Sequence, residues 1–160
     1  MTSVRVGTAL LSIALVPSAC ADAVGPDVDY VDVSLSLSAE EMVVGGTLQL
    51  HVVARNTTRR TLRFRTNSCI LSVQLLRGGF PVLQVPATCD DIGLEHVLAP
   101  DESLEAVFTF DGRSTWGPFP NEEGRRVPLV LEPGIYEVRA GISSDLLSPS
   151  LPRALRIRTN

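Results

Sequence analysis

The 160 residues leave room for one domain once a targeting segment is set aside. Hydrophobic residues make up 44% of the chain and charged residues 20%, a balance that excludes an apolar-poor disordered protein. A net charge of -4, with every basic residue an arginine, supplies no overall basic field to draw in nucleic acid.

In chain order the first element is a leader. Arg5 precedes an apolar or small run from Val6 to Val16. That run is too short to cross ~30 Å of hydrocarbon as a helix, which takes roughly 20 residues. It matches the charged, apolar and small-residue regions of a signal peptide. Ser18-Ala19-Cys20 resembles the lipobox of bacterial lipoproteins. The resemblance implies that residues 1–19 are a signal peptide, that Cys20 is lipidated, and that residues 20–30 tether a domain spanning 31–160. The resemblance also implies a lipoprotein of the cell membrane or outer membrane. Ala21-Asp22-Ala23 is a second possible cleavage site, and cutting there would release a freely secreted chain.

Period-2 alternation fills the rest. In Val31 to Ser38 the residues Val31, Val33, Leu35 and Leu37 share one face and Asp32, Ser34, Ser36 and Ser38 the other, which predicts a half-buried strand. The next strand turns Leu48, Leu50, Val52 and Ala54 inward and His51 outward, and the short run after it turns Leu62 and Phe64 inward. Ile70 to Leu76 and Phe80 to Val85 form a hairpin across Gly78-Gly79. A turn centred there sets Cys69 opposite position 88, and one bulge residue brings Cys89 opposite instead. In an exported chain the pair Cys69 and Cys89 is expected to form a disulfide stapling the hairpin's open end.

Further strands turn Leu104, Ala106, Phe108 and Phe110, then Tyr136, Val138, Ala140 and Ile142, then Leu155 and Ile157 inward. Turn residues separate them at short intervals, and no window holds a helical period between caps. The expected fold is an all-β, immunoglobulin-like antiparallel sandwich of about seven to nine strands. Between strands, Arg113 to Arg126 holds the only Trp; Trp116, Pro118, Phe119 and Arg125 make it a candidate partner-binding loop, while the alternative has Trp116 and Phe119 covering an end of the sandwich.

Chemistry is sparse. His51 sits on a polar strand face. His96 has Asp90, Asp91 and Glu95 nearby, but adjacent aspartates point oppositely in an extended chain and the set matches no established metal spacing, so a solvated loop is expected. Arg55, Arg59, Arg60, Arg63 and Arg65 are the one basic concentration, expected as a solvated face. Asn56-Thr57-Thr58 is a glycosylation sequon in form, expected here to be only a polar turn. No catalytic set, metal site or cofactor site is expected.

Pro133-Gly134-x-Tyr136 has the form of a tyrosine corner. Together with Arg55-Asn56 and with Leu98-x-Pro100-x-Glu102-Ser103 before a strand ending Asp111-Gly112, it resembles the BsuPI family of proteinase-inhibitor domains. The resemblance implies a β-sandwich and inhibition of subtilisin-like proteases. The expected function is therefore an exported, lipid-anchored, non-catalytic protein-binding module whose partner is an extracytoplasmic protease or an envelope protein. The alternative is a scaffolding envelope lipoprotein without inhibitory action.

Overall fold

Gly78 and Gly79 both take positive φ, 60° and 84°, which a Cβ would oppose and which the tight turn between two strands of right-handed twist requires. The longest hairpin of the fold closes at that turn. The computed structural model describes residues 28–86, 89–114, 129–143 and 147–159. Among them the strands are β1 (Val31–Leu37), β2 (Glu41–Val43), β3 (Leu48–Asn56), β4 (Leu62–Thr66), β5 (Leu71–Arg77), β6 (Phe80–Val85), β7 (Leu94–Leu98), β8 (Ser103–Phe110), β9 (Arg113–Ser114), β10 (Leu129–Val130), β11 (Gly134–Ile142) and β12 (Arg153–Arg158). Nine of these have five residues or more, and no α-helix accompanies them.

The architecture is an all-β sandwich. One layer is a five-stranded sheet in the order β2-β12-β11-β5-β6; facing it are the three-stranded sheet β1-β3-β8 and the two-stranded ribbon β4-β7, with β9-β10 as a short separate pair. All pairings are antiparallel except that of β2 with β12, which is parallel because β2 joins the sheet edge from a crossing connection. That pair adds a feature to the expected antiparallel pattern.

From Leu48 to Phe110 the chain is one long hairpin folded across both layers. Leu48 pairs with Phe110 and Arg55 with Ser103; farther up, Leu62 pairs with Leu98, Thr66 with Leu94, Val73 with Val85 and Arg77 with Phe80. Next to the turn Leu76 faces Pro81, whereas Leu75 faces Leu83, so Val82 is a bulge. This single extra residue is what sets Cys89 opposite Cys69. The two are joined in a disulfide with Cα atoms 5.4 Å apart, just beyond the point where Ser68 N–H donates to the Asp90 carbonyl.

The alternation read from the sequence becomes burial. Leu50, Val52 and Ala54 of β3, Val73 and Leu75 of β5, Val138 and Ala140 of β11, and Leu155 and Ile157 of β12 form one core with Leu62 and Phe64. At ~25 cal/mol per Å² of apolar surface, burying such side chains is the main favourable term. The short turn Val28–Tyr30, placed in the tether by the sequence, belongs to this body: Val28 is buried, its carbonyl accepts a bond from Ser148 Oγ at 2.6 Å, and Arg60 lies over the Tyr30 ring.

Candidate binding edge

The hydrogen-bond alternation of an antiparallel ladder decides which backbone groups of β8 are used. Asn56 N–H donates to the Glu102 carbonyl, and Ser38 N–H donates to the Gln49 carbonyl. Counting along β3 from these two ends, the even-numbered residues bond toward β8 and the odd-numbered ones toward β1. On β8, Leu104, Ala106 and Phe108 therefore face β3 with their backbone groups, and those of Ser103, Glu105, Val107 and Thr109 point to the free side. No strand pairs with that side among the described residues.

The side chains on the inner face of β8 are also short of cover. Leu104, Ala106 and Phe108 are only half-buried, unlike Leu50, Val52 and Ala54 on β3. Beside them runs a cleft of about 270 Å3 whose far wall is Ser68, Cys69, Ile70, Leu71 and Pro86. The disulfide thus forms part of the wall of an apolar groove open along the sandwich edge. Edge strands are commonly guarded by charge, proline, bulges or brevity. The segment Ser103 to Phe110 carries one charge, Glu105, which lies 3.5 Å from His51 on β3, and it has no proline, lysine or arginine.

The residues behind the family resemblance lie at structural corners. Asn56 is fully buried at the bend where the long hairpin passes from β3–β8 to β4–β7. Its amide nitrogen lies 2.8 to 3.0 Å from the carbonyls of Arg60, Leu98 and Ala99, and its Oδ1 accepts from the Thr58 N–H and hydroxyl. Asp101 N–H closes the knot on the Asn56 carbonyl. The sequon asparagine is thus consumed by the fold, and Asn56 and Leu98 to Glu102 are one structural unit. At the other corner Tyr136 is buried and its hydroxyl donates to the Glu132 carbonyl at 2.7 Å, across the turn holding Pro133 and Gly134. Burial raises the Tyr136 pKa, offset by the Arg77 guanidinium over its ring; Arg77 is held charged by its 2.7 Å bond to Glu132.

His96 corrects an expectation. Instead of lying in a solvated loop it is on β7, paired with Phe64, with its ring tilted against the Phe64 ring and Nε2 2.8 Å from Thr66 Oγ1. Thr66 Oγ1 donates to the Asn67 carbonyl, so the His96 Nε2–H is the donor between them. Burial lowers the His96 pKa. Asp90 and Asp91 precede β7 and are exposed; no group of three metal-holding side chains gathers among the described residues. The arginine concentration is largely paired internally: Arg55 with Asp101 at 2.9 Å, Arg63 with Glu95, Arg65 with the Gly93 carbonyl, and Arg60 with the Tyr30 ring. Cys20, Trp116, Pro118, Phe119 and Arg125 lie outside the described residues.

No family model matches the chain, and no curated protein matches it. Among solved structures it is similar to the β-glucosidase of Listeria innocua, at 18% identity and a TM-score of 0.44, over 80% of this chain but 16% of that one. It is also similar to the Pseudomonas fluorescens alkylpurine DNA glycosylase AlkC, at 8% identity and 0.47, over 81% and 31%. A third likeness is to a CARDB domain from Pyrococcus furiosus, at 9% identity and 0.43, over 82% and 97%. At such identities and scores the activities of those proteins do not transfer. The chain is an all-β sandwich, with a disulfide-walled edge that is open among the described residues. The disulfide fits an oxidising, extracytoplasmic setting. Among the described residues no helix is long and apolar enough to cross a membrane.

Proposed function

We propose that the chain is an exported, non-catalytic protein-binding module, anchored through a lipidated Cys20, that takes an extended protein strand along β8. The observation supporting it is the unguarded β8 edge: four residues' worth of backbone donors and acceptors that no strand among the described residues uses, beside a half-buried apolar row. Strand addition draws affinity from such backbone groups and specificity from the alternate side-chain positions. The resemblance to inhibitor domains makes a subtilisin-like protease the first foreign partner to try.

A second reading, a scaffolding envelope module without inhibitory action, is favoured by the burial of Asn56 and Tyr136, which leaves the resemblance resting on corner residues. Titrating the full chain against a subtilisin-like protease separates the two: loss of protease activity supports inhibition, and full activity supports scaffolding. The binding edge itself is tested by Val107→Pro. This removes a backbone N–H that points to the free side and spares the bonds to β3. Capture of envelope proteins by the full chain should fall about tenfold; unchanged capture by the folded variant rejects the edge. Intact mass tests the anchor: an acylated Cys20 as the first residue supports it, and a chain starting at Val24 refutes it.

A further inference from the structure

We infer that the strand received by β8 is the β8 of a second copy, so that two chains pair antiparallel about a two-fold axis at Ala106. This rests on the reading of β8 as the binding edge. Among the described residues the other edges of the two larger sheets are guarded. β6 has Pro81 and the Val82 bulge, β2 is three residues long, and the Leu35 carbonyl of β1 receives Arg153 Nε at 3.4 Å. Of the four edges of the two larger sheets, β8 is the long and nearly uncharged one among the described residues.

Its sequence is complementary to itself. Side-chain alternation requires that inward residues face inward residues across the new pair, which leaves a small set of registers. Centring on Glu105 sets the two carboxylates directly opposite, an unfavourable like-charge pair. Centring on Val107 sets Leu104 opposite Phe110, which is already buried in its own core. Centring on Ala106 sets Leu104 opposite Phe108 twice, with the small Ala106 pair at the axis, Glu105 opposite Val107, and Ser103 opposite Thr109. This register uses the three half-buried residues and no others on the inner face, and it keeps each Glu105 beside its own His51. The contact is isologous, so it closes at two copies. Two three-stranded sheets become one of six, and the second copy's apolar row lies along the groove beside Cys69 and Pro86.

Cysteine trapping in the full chain reads the register directly. In the proposed pair the two Ala106 Cα atoms are about 4.5 Å apart, within disulfide reach. The two Thr109 positions are then roughly 20 Å apart at ~3.3 Å per residue. Ala106→Cys should give a disulfide-linked dimer on a non-reducing gel at about tenfold the yield of Thr109→Cys, and the unsubstituted chain should sediment as a dimer that Val107→Pro converts to monomer. Equal trapping at the two positions, or an unsubstituted chain that stays monomeric at every concentration, overturns self-pairing. A monomeric chain that still captures an envelope protein, and loses it with Val107→Pro, overturns self-pairing while leaving the binding edge standing. A monomeric chain whose capture ignores Val107→Pro removes both.

Discussion

The two outer strands of the three-stranded sheet share one sequence pattern and end in different states. On β1 the inward residues Val31, Val33 and Leu35 are buried, at 4%, 7% and 4% exposure, and the strand's flank is tied down by Arg153 to the Leu35 carbonyl and by Ser148 to the Val28 carbonyl just before it. On β8 the inward residues Leu104, Ala106 and Phe108 alternate as cleanly but stay half-buried beside an open groove. Alternation assigns a residue to a face; only the neighbouring element decides whether that face is closed. A half-open apolar row beside backbone groups that no described strand uses is where a sandwich can take a partner, because the row packs against the core on one side and stays open on the other.

The widest separation between the edges should come from placing the same charge on each. Leu35→Asp buries a carboxylate with no counter-charge and should cost about 3–5 kcal/mol, enough to threaten folding. Leu104→Asp puts the carboxylate at the groove mouth, where water reaches it, and should cost roughly 1 kcal/mol. Urea denaturation of the two variants checks this, and equal costs would mean that the β8 edge is covered.

Breaking the staple with Cys69→Ser and Cys89→Ser should cost about 3 kcal/mol, from the entropy of the loop the bond closes in the unfolded chain. The loss should be uneven. Amide exchange should quicken at Ser68 to Leu71 and along β8, which line the groove, and change little along β1. Asn56→Ala comes next. Removing one side chain strips bonds from the Arg60, Leu98 and Ala99 carbonyls and from Thr58, and should cost about 2 kcal/mol. Since those partners lead into β8, exchange at Leu104 should rise before that at Asp32 and Ser34, whose amides bond to β3. A uniform rise in either variant would mean that the two edges unfold together.

Much of this was legible in advance for physical reasons. Each long strand with a buried inner face announced itself by period 2, and the Gly78-Gly79 turn plus one bulge sufficed to align Cys69 with Cys89. β7 escaped notice because Leu94 and Val97 are both partly exposed, so Leu94 to Leu98 shows no alternation to read. β2 is too short to carry a period, and its parallel partner lies more than a hundred residues away. Asn56 reads as a turn residue because the groups that satisfy it, at Leu98 to Glu102, come from the far arm of the hairpin. The open edge was half legible. The sequence Ser-Leu-Glu-Ala-Val-Phe-Thr-Phe shows an unguarded strand, but whether another strand covers it is a fact of topology.

The smallest effect isolates the ribbon between the edges. His96 has its pKa lowered because burial against Phe64 disfavours the imidazolium, while the unfolded chain keeps the ordinary value near 6.5. Above that value both states hold a neutral ring and the fold keeps its full stability. As pH falls below about 6.5 the unfolded chain takes up the proton first, and stability is lost progressively until the folded ring titrates at its lower pKa. The Thr66 contact does not change this sign, since Nε2–H donates in either protonation state. His96→Gln should therefore flatten the acid limb of the stability–pH curve, with His51→Gln as the control on the β8 side. Acidification acting through His96 should weaken β4 and β7 together and leave the β8 edge no more exposed than before. A His96→Gln variant with an unchanged acid limb would assign that limb to carboxylates elsewhere.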